Sequence, residues 1–459
     1  MKPRFMLVNA IDTTKQIETA EPPLGLGYLA SSLRENFGQD YIDFKVVDRD
    51  IRQAISEFKP TIVGITSVSQ NYNKAIKYAG IAKKYSLPVI MGGIHISTLP
   101  STLTEDMDVG VIGEGEQAIV ELFSLFEEDG YFDRDKLENI SGVVFRKNSK
   151  LIVTKKRNPI EPLDNISMPA RDLFTINKST YMFTSRGCPY RCTFCASSRF
   201  WDKLRFFSAE YVVNEIKYLV KKYSTKRIEF WDDLFIADKI RLRQILELLQ
   251  KENLLGKVSF TCTARSNLVN DDLAHLLKKM NVKSVGMGLE SAVPATLEYL
   301  KGGDINPGNH RNAVKILRKY GIESCASFII GSPEESQEDI LQTLRFIKEN
   351  PLGSIDVYVL TPFPGTPVWE YAKAKNLVSE DMDWSTLNVN FGENHNHAII
   401  LSEGITREEL YKLFLLFVDE KKKIMIRRVL RDPSVLLSHQ KFLKTTLRRI
   451  LSRQPLFAR

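Results

Sequence analysis

Three of the chain's five cysteines fall within eight positions, Cys188-x-x-x-Cys192-x-x-Cys195, in the stretch SRGCPYRCTFCASS. Thiols at that spacing can close disulfides or hold a metal. The opening residues, MKPRFMLVNAID, have a brief apolar run and no small-residue cleavage site, so they read as a first strand and not as an export signal. A cytoplasmic protein keeps its thiols reduced, and clustered cysteines there are metal-binding or catalytic. Three thiolates on one loop suit an iron–sulfur cluster. A structural zinc would want a fourth ligand, and no second C-x-x-C or nearby histidine pair supplies one. Cys262 and Cys325 stand alone in strand-like runs and read as small buried hydrophobes. A cubane held by only three cysteines keeps one iron open to a substrate or cofactor.

A second chemical signal comes from strand alternation. In SFTCTAR, Phe260, Cys262 and Ala264 share one face, while Thr261, Thr263 and Arg265 share the other. That arginine sits either at a solvated strand end or in a polar lumen that holds an anion. The His-x-His pair of ENHNH (His395, His397) has no third ligand near it and reads as a polar loop.

The elements that must position these groups form two alternating series. Over the first 125 residues, strand-like runs (RFMLVNA, DFKVVD, TIVGITS, PVIMGG, VGVIG) alternate with segments of helical apolar spacing, which implies a doubly wound parallel sheet. The loops after these strands are PPLGLG with Gly25 and Gly27, SVSQN with Ser67, GGIHISTLP with Gly92, Gly93 and His95, and GEGE with Gly113, Glu114 and Gly115. One glycine loop is a tight turn; four at one strand edge mark the edge where open parallel sheets bind ligands. The pattern is not G-x-G-x-x-G, which argues against a nicotinamide or flavin dinucleotide.

A proline-rich stretch, RNPIEPLDNISMPARDLF, reads as a linker. After it six further strands alternate with helices, from YMFTS to IDVYVL, as in a partial (β/α)6 barrel with its active face at the carboxyl ends. The cysteine loop follows the first of these strands. The expected division is 1–150, linker 151–178, barrel 179–375 and a helical region 376–459.

The net charge of +8 belongs to the end of the chain: residues 421–459 carry twelve Lys or Arg against one acid, leaving −3 for the rest. Nucleic acid is therefore not an expected partner. HQKFLKTTLRRILSR places apolar and cationic residues on different helical faces: either a helix packed on the barrel with a solvated basic face, or one lying on an anionic membrane surface, which would make a cytoplasmic protein peripheral at the inner membrane face and suit a lipid-like substrate.

The triplet, with Phe194 as the aromatic before its last cysteine, resembles the signature of radical S-adenosylmethionine enzymes, and further segments follow in the family's order. The resemblance implies a [4Fe-4S] cluster on Cys188, Cys192 and Cys195, with the amino and carboxylate groups of S-adenosylmethionine on the open iron. An electron from an external flavodoxin- or ferredoxin-type donor then yields a 5′-deoxyadenosyl radical. It also implies an ammonium contact from Asp232 or Asp233 in EFWDDLF, and a carboxylate contact from Arg265 in TARSN. Glu290 and Ser291 in GLES would serve ribose and carboxylate, and Gly331 in IIGSPEES a turn at the cofactor.

A doubly wound domain ahead of the barrel is similar to the cobalamin-binding, class B members. The Rossmann-like loops would then hold cobalamin, with His95 as a candidate contact to its tail. D-x-H-x-x-G, whose histidine ligates cobalt in other cobalamin domains, is absent after the first strand. The expected function is methylation of an unactivated carbon of a small-molecule or lipid-like substrate. Alternatives are a cobalamin-associated radical cyclisation or rearrangement, and a non-catalytic corrinoid carrier. A methylthiotransferase is disfavoured, since two remaining cysteines cannot hold its auxiliary cluster.

Overall fold

A computed structural model describes residues 2–11 and 21–431. The amphipathic segment HQKFLKTTLRRILSR, and with it the expected membrane contact, lies outside the described residues. The first sheet contains β1 (Arg4–Asn9), β2 (Asp43–Val47), β3 (Ile62–Thr66), β4 (Val89–Gly92), β5 (Val109–Val111), β6 (Val143–Lys147) and β7 (Lys150–Val153), in the spatial order β2-β1-β3-β4-β5-β6-β7. Alternation sorts its core: Phe5 and Leu7 pack with Leu26, Leu33 and Phe123 on one face, while Met6 and Val8 pack with Ala75 and Ala79 on the other. The helices Leu24–Phe37 and Glu116–Asp129 cover the first face, and Ile51–Phe58 and Tyr72–Lys83 the second. β1 lies between β2 and β3, so the winding reverses at its carboxyl end, where such sheets open a crevice.

The expectation of strands alternating with helices up to residue 125 holds, but the sheet does not end there. β6 and β7 extend it antiparallel as a hairpin, running past the expected boundary at residue 150. Its turn is Asn148-Ser149, both at positive φ (50° and 63°), the geometry of a primed hairpin turn. Serine rather than glycine at the second turn position is why the sequence hides it.

The second sheet comprises β8 (Ser179–Met182), β11 (Arg227–Phe230), β12 (Ser259–Ala264), β13 (Val282–Glu290), β14 (Glu323–Ile330) and β15 (Ser354–Val359), all parallel and paired in that order. Between β8 and β11 a two-stranded antiparallel ribbon, β9 (Ser185–Arg186) and β10 (Arg205–Phe206), is inserted. Six helices of this half start on polar caps: Ser208, Asp238, Asn270, Asn306, Ser336 and Thr366 each accept from backbone N–H groups of their first turn.

The helix Arg407–Arg431 closes against β15, with Lys421 pairing Asp356 at 2.5 Å and Arg428 pairing Glu323 on β14 at 2.5 Å. Among the described residues no helix is long and apolar enough to cross a membrane. The carboxyl ends of the two sheets face a common cavity of about 790 Å³, lined from β1, β3, β4 and β5 on one side and from β8, β9 and the loop after β11 on the other.

Candidate functional site

The cysteine loop leaves β9 through Gly187, at φ +93°. A Cβ there would lie 2.7 Å from the Lys203 carbonyl and 3.0 Å from the Trp201 side chain, so only glycine lets the ribbon pass this close. Flanking residues Ser185–Gly187 and Ala196–Ser197 line the cavity, which puts the loop on its rim. Burial pushes the Cys188 thiol up to about 11 and also raises Cys195, and the neighbouring cysteines add to both shifts.

Among the described residues no three His, Cys, Asp or Glu side chains converge as they would on a single metal ion. Three thiols on one short loop, near enough that Cys192 raises both Cys188 and Cys195, are the donor set an iron–sulfur cluster takes. Two further features suit thiolate sulfur. The Ser198 N–H donates to Cys195 Sγ at 3.4 Å, and Arg265 Nη1 lies 3.8 Å from Cys192 Sγ.

Arg265 follows β12 on the face of Thr261 and Thr263 and is buried, not at a solvated strand end, with Phe260, Cys262 and Ala264 buried on the other face. Its guanidinium is over the Tyr190 ring at 4.0 Å and pairs with Asp304 at 2.5 Å. It is held between the cluster loop and a carboxylate, where an anion competing with Asp304 would meet it.

The two aspartates after β11 part company. Asp232 is buried and accepts from the backbone N–H groups of Thr184 (2.6 Å) and Ser185 (3.0 Å) and from the Thr184 hydroxyl. It pins β8 to β9. Asp233 lines the cavity, and both its oxygens accept from Ser197 Oγ at 2.7 Å. Burial holds its carboxyl above the ordinary range, against hydrogen bonds from Ser197 and the Gly187 backbone.

Glu290 ends β13 in the left-handed region, φ 63°, an uncommon conformation for a residue with a side chain. Its carboxylate is buried 3.3 Å from Lys301 Nζ; burial raises it, opposed by Lys301 and Arg265. Ser291 is turned away from a cofactor role: fully buried, it bonds Thr343 Oγ1 at 3.2 Å and accepts from Val293 N at 3.1 Å. Gly331, φ +83°, makes the turn after β14 and donates to Glu335 at 2.7 Å, while the space a Cβ would need is taken by Leu410.

On the opposite wall, Gly25, Ser67, Gly92, Gly93, Gly113 and Gly115 all line the cavity. A Cβ on Gly25 or Gly113 would meet nothing within 4 Å, so these glycines keep open space beside the backbone. Gly93 has a different reason: at φ +98°, its Cβ would strike the Ser67 carbonyl at 2.5 Å. Gly27 faces away, packed against Phe174 and Pro169 of the linker. A mostly apolar slot edged by bare backbone fits a broad flat ring such as a corrin.

Besides Ser291 and Gly27, two further expected contacts need correcting. His95 does not reach the cavity. It is wholly buried, stacked on Tyr72 at 3.7 Å and edge-on to Trp384 at 4.5 Å, with Nε2 3.1 Å from Thr102 Oγ1; its function is to hold the segment Trp384–Leu387 against the first domain. Glu114, although on the cavity wall, directs both carboxylate oxygens to Arg186 and Arg205 and is not available to a cofactor. Alternation and loop position point to the cavity wall but not to the partners that the fold brings alongside. The same limit hid Tyr190 beneath Arg265 and the Trp231–Tyr181 stack (3.9 Å) on the cavity wall.

Comparison with known proteins agrees with this geometry. Residues 182–347 match the radical SAM superfamily and residues 12–123 the B12 binding domain. An uncharacterized methyltransferase from Pyrococcus horikoshii is 36% identical over 384 residues, covering 80% of this chain and 82% of that protein. An anaerobic magnesium-protoporphyrin IX monomethyl ester cyclase from Rubrivivax gelatinosus is 27% identical, over 76% of this chain and 66% of its own. In fold, the chain is similar to the radical S-adenosylmethionine methyltransferase TsrM from Kitasatospora setae (TM-score 0.68, 19% identity, 82% and 77% of the two chains). It is also similar to the cobalamin-dependent S-adenosylmethionine radical enzyme OxsB (TM-score 0.63, 19% identity, 75% and 52%).

Proposed function

Because the chain belongs to the radical S-adenosylmethionine family whose members carry a B12-binding domain, we propose that it is a cobalamin-dependent methyltransferase acting on an unactivated carbon of a small molecule. The observation that carries this reading is the single cavity onto which both sheets open, with the cysteine loop on its rim. When bound, the cluster and S-adenosylmethionine supply a carbon-centred radical and the corrin supplies the methyl group.

The chain's own residues do the positioning. Cys188, Cys192 and Cys195 ligate the cluster as thiolates. Arg265 exchanges Asp304 for the carboxylate of S-adenosylmethionine, and Asp233, held above its ordinary range by burial, accepts from the ammonium. Glu290 orients the ribose, and Gly331 shapes the turn beside the cofactor. Gly25, Gly92 and Gly113 admit the corrin, and Trp231 and Tyr181 wall off the substrate from water.

The test is anaerobic reconstitution with iron, sulfide and cobalamin, followed by S-adenosylmethionine and reductant. S-adenosylhomocysteine in an amount matching the bound corrin, together with deoxyadenosine, is expected. Deoxyadenosine alone favours radical cyclisation, the reading suggested by the 27% identical cyclase; neither product contradicts both. The finer reading places the enzyme in the cytoplasm, with its basic tail against an anionic membrane and a lipid-like substrate. Flotation with anionic but not neutral vesicles tests it, and loss of binding on deleting residues 432–459 is the expected control.

A further inference from the structure

The seam between the two domains holds four buried charged side chains bonded to one another. Arg186, two residues ahead of Cys188, donates to Glu114 at 2.6 Å and to Glu116; Arg205 donates to Glu114 at 2.9 and 3.0 Å. All four side chains are at most 9% exposed. The arginines are direct cross-strand partners in the β9–β10 ribbon, so two like charges lie side by side and depend on Glu114 between them. Aromatic rings close the cluster: Arg186 is 5.4 Å from both the Tyr28 and Trp201 rings, and Arg205 5.8 Å from Trp201. Glu114 also accepts from the Ile160 backbone N–H at 2.8 Å.

Buried ion pairs seldom add net stability over apolar packing of the same volume, so stability alone does not account for four of them here. Paired guanidinium–carboxylate bonds do fix direction and register. Here the carboxylates sit on the loop after β5 and at the start of the helix Glu116–Asp129, on the cavity's first wall. The arginines sit on the ribbon that feeds directly into the cysteine loop. We propose that Glu114, Glu116, Arg186 and Arg205 are positioning residues that register the cluster loop against the corrin-side wall and so set the distance between the two metal centres. The proposal rests on the reading that both cofactors share this cavity.

The test uses the full chain reconstituted with both cofactors and reduced until cob(II)alamin and the paramagnetic cluster coexist. Pulsed electron paramagnetic resonance then reads their separation. Wild type is expected to give one narrow distance distribution. Arg186→Lys and Glu114→Gln, loaded with both cofactors by their visible spectra, are expected to lose it for a broad or shifted one. Arg205→Lys, farther along the ribbon from the cysteines, serves if either variant fails to fold. Lys156→Ala, which removes an exposed pair with Asp202 near the same ribbon, should leave the distance unchanged. An unaltered narrow distance in the loaded Arg186→Lys, Glu114→Gln and Arg205→Lys proteins would overturn the proposal while leaving the functional reading intact. Wild type that binds no corrin or no iron would overturn the reading itself, and the proposal with it.

Discussion

The first domain meets the cavity largely with bare backbone and uncharged side chains: Gly25, Ser67, Gly92, Gly93 and Gly113 line it beside Leu7, Leu26 and Ile90, and the carboxylates of Glu114 and Glu116 are turned onto arginines. On the barrel side Asp233 lines the cavity, the cysteine loop stands on its rim, and Arg265 lies beside Cys192 in that loop. The difference is what the two proposed ligands require. A corrin is broad and flat and is held by shape, whereas the polar end of S-adenosylmethionine carries an ammonium and a carboxylate and is held by opposite charges. Substitutions at the barrel edge should therefore act through charge with little loss of fold, and those at the glycine edge through volume.

The largest effect is expected at the thiols. Cys192→Ser should abolish iron–sulfide absorption and deoxyadenosine formation together, while corrin binding, measured by its visible spectrum, persists. If cluster and corrin are lost together, the two edges are not independent.

Asp232 and Asp233 give a sharper contrast. Asp233→Asn should weaken S-adenosylmethionine binding by roughly ten- to a hundredfold, the value of one or two charge-assisted hydrogen bonds, with an unchanged melting temperature. Asp232→Asn should do the reverse. It removes acceptors from Thr184 and Ser185, costs about 1–3 kcal/mol in denaturant titration, and leaves affinity in the folded fraction unaltered.

Buried histidines allow the two domains to be compared by pH. His95 is held neutral by burial, its value lowered from 6.5 to about 3, and His310 in the barrel is lowered to about 4. Between the folded and unfolded values the unfolded chain binds the proton and the folded chain does not. Stability is therefore complete above pH 6.5 and falls as the pH drops below it. At pH 5 the loss from His95 alone is about 2 kcal/mol. His95→Gln should flatten the fall in melting temperature between neutral and mildly acid pH; an unchanged slope would contradict the assignment.

The smallest effect is expected at the glycine edge. Gly25→Val points its side chain into open space, so corrin affinity should fall roughly tenfold with the fold retained. An unchanged affinity would place the ring elsewhere in the cavity.

What the sequence made legible follows from which signals are local. Parallel strands buried on both faces announce themselves as apolar runs, so the parallel strands of both sheets are legible on that basis and the antiparallel β6–β7 hairpin is not. The placement of Arg265 came from alternation within one strand. The choice between Asp232 and Asp233 was not readable, because adjacent residues differ only in which distant groups they meet: Thr184 for one, the cavity and Ser197 for the other. The true surroundings of His95 and Glu114 are illegible for the same reason. Their loop position suggested a ligand, but Trp384 and Arg205, far along the chain, fill the space beside them. The β9–β10 ribbon escaped notice because two-residue strands leave no periodicity.

The most direct test of the open iron is the electron paramagnetic resonance spectrum of the reduced, reconstituted protein before and after adding S-adenosylmethionine. A cluster held by Cys188, Cys192 and Cys195 alone should show a changed signal, because the added molecule becomes a ligand. A protein that takes up zinc in place of iron, or a cluster signal indifferent to S-adenosylmethionine, would contradict it.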